Sequence, residues 1–142
     1  MEISRRTDYA IRLIAALAAS DGEPLSVRTA AEAQEVPYAF ARSIQHDLVV
    51  AGLIASRRGA HGGMVLCKPA SELTLLEVIE SVQGPVGLSI CSREDGWCPR
   101  DKTCVFHQVW TGADDMLRKY LSSVSIQELL DGVKPRMVMA CS

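Results

Sequence analysis

Apolar residues return every three or four positions over residues 5–19, which predicts an amphipathic first helix. Ser26 is a good N-cap for a short second helix over residues 26–34. A brief turn follows, and a third helix is predicted over residues 37–51, because proline suits a first helical turn. Gly52 is a natural C-terminal stop for that helix.

The predicted third helix has two different sides. Its apolar side contains Phe40, Ile44, Leu48 and Ala51. Its other side carries Tyr38, Arg42, Gln45 and His46. Two helices joined by so short a turn, the second polar on its exposed side, are typical of a helix-turn-helix that places its second helix in the DNA major groove.

A β-hairpin is predicted directly after the third helix. Residues 53–56 and 64–67 form its two strands, and the basic, glycine-rich segment 57–63 forms its turn. A hairpin with a cationic tip after a helix-turn-helix is a wing. Its glycines let the backbone approach a partner closely, and its arginines supply phosphate or groove contacts.

Helical patterning resumes over residues 73–82, where Thr74 is the expected cap. From residue 105 a wide apolar stripe follows helical spacing, and a short helix is expected over 126–130. The stripe contains Phe106, Val109, Trp110, Ala113, Met116, Leu117, Tyr120 and Leu121. Its width is close to that of a helix between two subunits, so we expect a dimerisation helix.

The fold class expected from these elements is mainly α with a small β wing. A winged helix-turn-helix domain is joined to a long dimerisation helix. The expected organisation is a DNA-binding domain over 1–85, a cysteine-rich loop over 86–104, the dimerisation and terminal helices over 105–132, and a flexible tail over 133–142.

Charge is divided unevenly along the chain, although the net charge is only −2. Residues 1–70 hold eight basic and seven acidic side chains (+1), whereas 71–142 hold seven and ten (−3). A local basic patch binds phosphate whatever the total charge. No stretch suits a signal peptide or a membrane span, so a cytoplasmic protein with reduced thiols is expected.

Three cysteines in the polar loop carry the candidate chemistry. Cys91, Cys98 and Cys104 are followed by His107 in a C-x6-C-x5-C-x2-H pattern. Cys104 lies near a helix N-terminus, where the helix dipole favours the thiolate. Thiolates are soft ligands that select iron–sulfur clusters, zinc or Cu(I).

Other interpretations of these cysteines remain open at this point. A structural zinc site normally has shorter gaps between paired ligands. Packing cysteines do not suit so polar a loop, and disulfides do not suit the expected compartment. Cys67 is expected to be a small packing residue, and Cys141 a free thiol. No phosphate-binding glycine loop or Ser-His-Asp set indicates an enzyme, and a simple cluster carrier would not need a wing.

The sequence resembles the Rrf family of winged-helix regulators, which includes IscR-, NsrR- and RirA-like iron–sulfur sensors. The resemblance runs from residue 1 to about residue 132 and joins several short motifs in order. These are RTDYAIR at 6–12, AGLI at 51–54, RGAHGG at 58–63, KPA at 68–70, LEVI at 76–79 and the three-cysteine loop.

This resemblance implies a homodimer with a cluster near its interface, held by Cys91, Cys98 and Cys104. For the fourth ligand it leaves two choices. Asp8 from the partner subunit implies a 4Fe–4S cluster, which we favour, and His107 implies a 2Fe–2S cluster. The first cysteine gap is one residue longer than in close IscR relatives.

The resemblance further implies a regulator, expected to be a repressor, that binds a palindromic double-stranded DNA operator. Its operator affinity is expected to be switched by the iron–sulfur cluster, which responds to nitric oxide, to oxygen or redox state, or to iron supply. The alternative is a winged-helix regulator with structural zinc or metal-free thiol sensing. No small-molecule substrate and no membrane partner are expected. The candidate DNA contacts are Ser26, Arg28, Tyr38, Arg42, Arg57, Arg58 and His61. Arg42 replaces a glutamate of IscR-like readers, so the operator is expected to differ.

Overall fold

A computed structural model describes residues 1–94 and 96–132 of the chain. The flexible tail expected over residues 133–142, with Cys141, lies outside the described residues. The elements in chain order are α1 (Arg5–Ala19), α2 (Val27–Ala33), α3 (Tyr38–Val50), β1 (Ile54–Arg57), β2 (Gly63–Leu66), α4 (Leu75–Gln83), α5 (Ile90–Arg93), α6 (Val105–Ser123) and α7 (Ile126–Asp131).

The helix ends follow the capping residues expected from the sequence. The Ser26 hydroxyl accepts a hydrogen bond from the Thr29 N–H at the start of α2. Thr74 and Glu77 form a reciprocal capping box at the start of α4. Gly52 follows α3 with φ +75°, a left-handed conformation that glycine adopts at little cost. The predicted cap and stop residues are therefore confirmed.

The predicted wing is confirmed as a two-stranded antiparallel sheet. Ile54 lies opposite Leu66, and Arg57 lies opposite Gly63. Each strand is displaced by one residue from the predicted range, so Arg57, which we placed in the turn, ends β1, while Arg58 and His61 remain in the turn. The fold class expected from the sequence, mainly helical with a small wing, is confirmed.

The core lies where α1, α3, α4 and α7 meet. Leu13 and Ile14 of α1 and Ile44 of α3 are almost fully buried there, as is Ile126 of α7. Backbone hydrogen bonds from Leu75 to Val124 and from Ile126 to Leu73 hold the chain after α6 against α4. The sequence groups α7 with the dimerisation helix, and the fold packs it against α1.

The segment over 86–104 contains a one-turn helix, α5, that the sequence pattern did not predict. The long helix α6 begins at the expected residue and continues to Ser123. Within the described ranges, no helix combines the length and the apolar character needed to cross a membrane.

Candidate DNA-binding groove and cysteine loop

The recognition helix α3 presents its sides differently from the sequence expectation. Its buried residues are Ala41, Ile44 and Leu48. Phe40 and Ala51, which we placed on the apolar side, are exposed, Phe40 by 46%. Phe40 lies about 100° around the helix from Ala41, outside the core stripe. It packs edge-on against the ring of Tyr9, with the ring centroids 5.7 Å apart.

A cavity of about 290 Å³ lies between α2, α3 and the wing, and we call it the reading groove. Five of the seven predicted DNA contacts line it: Ser26, Arg28, Tyr38, Arg42 and Arg57. No aspartate or glutamate is among the described residues that line it. The other two predicted contacts, Arg58 and His61, are exposed at the wing tip instead.

The walls of the reading groove are joined by contacts between distant parts of the chain. Leu25, just before α2, exchanges two backbone hydrogen bonds with Met64 of β2, of 3.0 and 2.8 Å. The Gln45 side chain donates to the Ser56 hydroxyl over 3.1 Å, which joins α3 to β1. Sequence reasoning placed Gln45 on the polar side of α3 but did not foresee this contact.

Gly63 lies where β2 meets the backbone of Leu25. Its φ is +152°, and a Cβ added here would lie 2.7 Å from the Leu25 carbonyl carbon. Only glycine fits such a close backbone approach without displacement. The glycine-rich character of the predicted turn therefore serves the docking of the wing as well as the shape of its tip.

The arginines of the reading groove are not neutralised within the chain. Arg28 lies over the ring of Tyr38, with its guanidinium carbon 4.3 Å from the ring centroid. Among the described residues, Arg28, Arg42 and Arg57 have no carboxylate within ion-pair distance. Three uncompensated guanidinium groups around one groove suit a polyanion such as DNA.

A further contact, not foreseen from the sequence, joins α1 to the recognition helix. The Arg6 guanidinium donates to the Ser43 hydroxyl and to the Asp47 carboxylate. Two residues further along α1, the Asp8 carboxylate pairs with Arg12 over 2.9 Å and remains half-exposed. The N-terminal end of α1 is therefore attached to the outer part of α3.

The three candidate cysteines all lie in the segment over 86–104, which we call the cysteine loop. Each is a free, partly exposed thiol. Cys91 lies within α5, and its sulfur is 3.0 Å from the Ser89 hydroxyl oxygen. Cys104 is the N-cap residue of α6, as its predicted position near a helix N-terminus requires.

In the described part of a single chain, no three His, Cys, Asp or Glu side chains approach closely enough to hold a metal ion. The donor set nevertheless has the chemistry of an iron–sulfur site, with three accessible thiols on one short segment. One of the candidate fourth ligands, His107, has a buried Nδ1 atom without a hydrogen-bond partner among the described residues.

Two carboxylates fix the backbone where the cysteine loop begins. The Asp114 carboxylate accepts the Leu88 N–H over 2.8 Å, and the Glu80 carboxylate accepts the Val86 N–H over 3.3 Å. Glu80 also pairs with Arg118 of α6. Asp114 is only 5% exposed, and its second oxygen has no hydrogen-bond partner among the described residues.

One side of α6 is apolar and exposed in the single chain. Val105 and Phe106 are 70% and 69% exposed, and Val109 and Met116 are more than half exposed. An apolar patch of this kind on a helix of nineteen residues is typical of an interaction surface. We call this surface the α6 apolar face.

Comparison with known proteins connects these features. A sequence model of the Rrf2 family, described as an iron-dependent transcriptional regulator, matches residues 3–132. The HTH-type transcriptional regulator IscR of Photorhabdus laumondii is 31% identical over 133 residues, which are 92% of this chain and 80% of that protein.

Solved structures with a similar fold include two CymR proteins. The oxidized form of Staphylococcus aureus CymR is 29% identical, with a TM-score of 0.70 over 95% of this chain and 100% of that one. CymR of B. subtilis, described as the global cysteine regulator, has a TM-score of 0.72 over 94% and 99% of the two chains. It is 22% identical, so this second likeness concerns the fold alone.

Proposed function

Since the chain belongs to the Rrf2 family of iron-dependent transcriptional regulators, we propose that an iron–sulfur cluster on its cysteine loop sets the affinity of a homodimer for operator DNA. As a member of that family the protein is a DNA-binding regulator and not an enzyme. The observation that carries the proposal is the set of three free, accessible thiols between α4 and α6. We place this activity in the cytoplasm, where thiols stay reduced.

The reading groove and the wing form the DNA-binding surface in this proposal. Two copies of α3 enter successive major grooves of a palindromic operator, about 34–36 Å apart. Arg42 reads base edges in the major groove, while Arg58 at the wing tip reaches the minor groove. The lack of acidic residues among the described lining of the reading groove supports this orientation.

The homodimer is formed through the α6 apolar face. Phe106 and Val109 leave much of their surface in water in the single chain, and a second copy of α6 would cover it. Crossed α6 helices would also bring the two cysteine loops close to the dimer interface, because each loop ends immediately before the first residue of α6.

Cys91, Cys98 and Cys104 are the three ligands supplied by one subunit. The fourth ligand in the proposal is Asp8 from the partner, with a 4Fe–4S cluster. The Asp8 carboxylate is half-exposed on the first turn of α1, and a hard, exchangeable oxygen ligand leaves one iron reactive. The alternative is His107 with a 2Fe–2S cluster, and the unpartnered Nδ1 atom of His107 favours it.

Switching acts through the attachment of the cysteine loop. A bound cluster would supply a centre sensitive to nitric oxide, oxygen or iron supply, and would stabilise one loop conformation. The loop is tied to α4 through Glu80 and to α6 through Asp114. In the proposed dimer, a change of loop conformation would therefore change the distance between the two wings. A ligand shifts DNA affinity only if it stabilises one of two such states.

Thiol sensing without a cluster is the second candidate function. It is favoured by the structural likeness to S. aureus CymR, which was solved in an oxidized form. A cellular oxidant would then take two electrons from two of these free thiols to form a reversible disulfide, or the thiols would bind a structural zinc ion. The sensing residues remain the same, but the bound group and the spectroscopic signature differ.

Purification without oxygen, followed by iron, sulfide, zinc and thiol analysis, separates these two functions. The cluster proposal expects iron and sulfide in stoichiometric amounts and their loss in Cys98→Ala. Band-shift titration of cluster-loaded and cluster-free protein against DNA upstream of its own gene then tests the switch. Equal affinities at matched salt, or zinc in place of iron and sulfide, would contradict the proposal.

The fourth ligand is tested on the same preparations. Asp8→Ala is expected to alter the absorption and stability of a four-iron cluster, while His107→Ala leaves its spectrum nearly intact. A two-iron spectrum that is lost or shifted in His107→Ala would assign the ligand role to the histidine instead.

A further inference from the structure

We propose that Arg28, on the helix before the recognition helix, is a second base-reading arginine that Tyr38 holds in position. This inference rests on the proposed use of the reading groove as the DNA-binding surface. It does not depend on the cluster, the signal or the fourth ligand. In a helix-turn-helix, the helix before the recognition helix ordinarily crosses the DNA backbone. A base contact from Arg28 would therefore differ from the ordinary role of that helix.

The first support is the position of the guanidinium group. The guanidinium carbon of Arg28 lies 4.3 Å from the centroid of the Tyr38 ring. Tyr38 is the first residue of α3, and the N-terminal residues of a recognition helix contact base edges. Stacking on Tyr38 therefore places the charged group of Arg28, a residue of α2, beside the N-terminal end of α3, which is the end that enters the DNA major groove in the proposed complex.

The second support is what remains available on the stacked side chain. The tyrosine ring covers one flat face of the guanidinium, and stacking leaves the N–H groups along its edge free to donate. Arg28 forms no hydrogen bond and no ion pair with any described residue. A planar guanidinium with free edge donors matches O6 and N7 of guanine, the commonest specific contact in the major groove.

The third support is that the competing polar side chain of α3 is already engaged. Gln45 faces the reading groove, but its amide nitrogen donates to the Ser56 hydroxyl over 3.1 Å. This leaves Arg28 and Arg42 as the two residues of the helix-turn-helix with free planar donors facing the reading groove, since the third such arginine, Arg57, belongs to the wing. We therefore expect two guanine contacts per half-site, one from each arginine.

The fourth support is that the stack is built on a fixed frame. Arg28 is three residues beyond Leu25, whose backbone pairs with Met64 of the wing. The Ser26 cap fixes the first turn of α2 between them. The start of α2 is therefore held between α3 and the wing. As a result, the Arg28 side chain loses little conformational entropy when it contacts a base.

In vitro selection from a random DNA duplex library, using whichever cluster state of the wild type binds, provides the test. The expected wild-type motif has two guanines in each half-site. Selection with Arg28→Ala is expected to lose the preference at one of them, while Arg42→Ala loses the other. On the selected site, replacing the Arg28-dependent guanine should weaken wild-type binding by about 5- to 150-fold and should not weaken Arg28→Ala binding further.

Conservative variants separate base reading from charge. Arg28→Lys keeps the charge but loses the planar fork, so it should retain the overall affinity and lose the discrimination. Tyr38→Phe keeps the stacking ring and should behave as the wild type. Tyr38→Leu removes the ring and should lose discrimination at the same base pair. Lys119→Ala, a charge removed on exposed α6, serves as the control and should leave the selected motif unchanged.

A phosphate contact would give a different pattern and would overturn the inference. Arg28→Ala would then weaken binding to all sequences alike and reduce the salt slope by about one, and Arg28→Lys would restore both. An unchanged motif with Arg28→Ala would overturn it as well. A wild-type protein that selects no motif would instead refute the use of this surface for sequence-specific DNA binding.

Discussion

Asp114 offers the sharpest test of how the cysteine loop is attached to the rest of the protein. Its carboxylate is buried on α6 and accepts the Leu88 N–H three residues before Cys91. In Asp114→Ala this N–H loses its acceptor inside the protein. A fully buried donor left without a partner costs about 1–3 kcal/mol, and the lower part of that range applies here because Leu88 is 44% exposed.

Part of this loss of stability is offset, because the buried Asp114 carboxylate is itself destabilising. Its second oxygen is buried and has no hydrogen-bond partner among the described residues, so the alanine variant also removes a poorly solvated charge. We therefore expect a loss of about 1–2 kcal/mol. We expect it in the opening of the loop more than in global unfolding, because Leu88 is 44% exposed and is not one of the residues of the hydrophobic core.

Amide hydrogen exchange is the direct measurement. The Leu88 amide should exchange about 5- to 30-fold faster in Asp114→Ala than in the wild type, which corresponds to that free energy. Asp115→Ala is the matched control, because Asp115 is the adjacent carboxylate on α6 and is exposed. Asp114→Asn, which retains an oxygen acceptor, should recover most of the protection.

Equal exchange rates at Leu88 in the Asp114 and Asp115 alanine variants would refute this reasoning. So would a uniform increase across α1 and α3, since that would mean the carboxylate supports global stability rather than the loop attachment.

Three other predictions concern the wing, the α6 apolar face and acid stability. Gly63→Ala should detach the wing from Leu25 and weaken operator binding in band-shift assays, because the new Cβ clashes with the Leu25 backbone. Gly59→Ala is the control for the backbone strain of a positive φ, because its Cβ meets no described atom. Val109→Asp should shift the protein from dimer to monomer in analytical ultracentrifugation while its circular dichroism is unchanged; a variant that remains dimeric would contradict dimerisation through this face, and Lys119→Asp is the matched control. Burial raises the pKa of Glu77, but hydrogen bonds from Lys68 and Thr74 outweigh it and leave the pKa below its ordinary value of 4.5. The unfolded chain therefore binds the proton first as pH falls, so thermal stability should fall more steeply below pH 4.5 in the wild type than in Glu77→Gln, and parallel pH profiles would disprove it.

Much of the fold could be predicted from the sequence, because its signals are local. Ser26, Thr74 and Gly52 act on groups within a few residues of themselves, so helix starts and stops could be identified without a structure. Two apolar segments on either side of a basic, glycine-rich turn predicted the wing in the same way. Four of the five predicted DNA contacts that line the reading groove belong to the helix-turn-helix, whose geometry follows from short-range order, whereas Arg57 reaches it through the docking of the wing.

The tertiary structure decided what depends on residues far apart in the sequence. Whether Phe40 belongs to the core depends on Tyr9 in another helix, and periodicity within α3 alone placed it on the wrong side. The engagement of Gln45 by Ser56 and the burial of Asp114 against Leu88 are likewise contacts between separate segments. Sequence patterning reports which residues prefer to be buried, but packing decides which partner each buried polar group finds, and most of them find one.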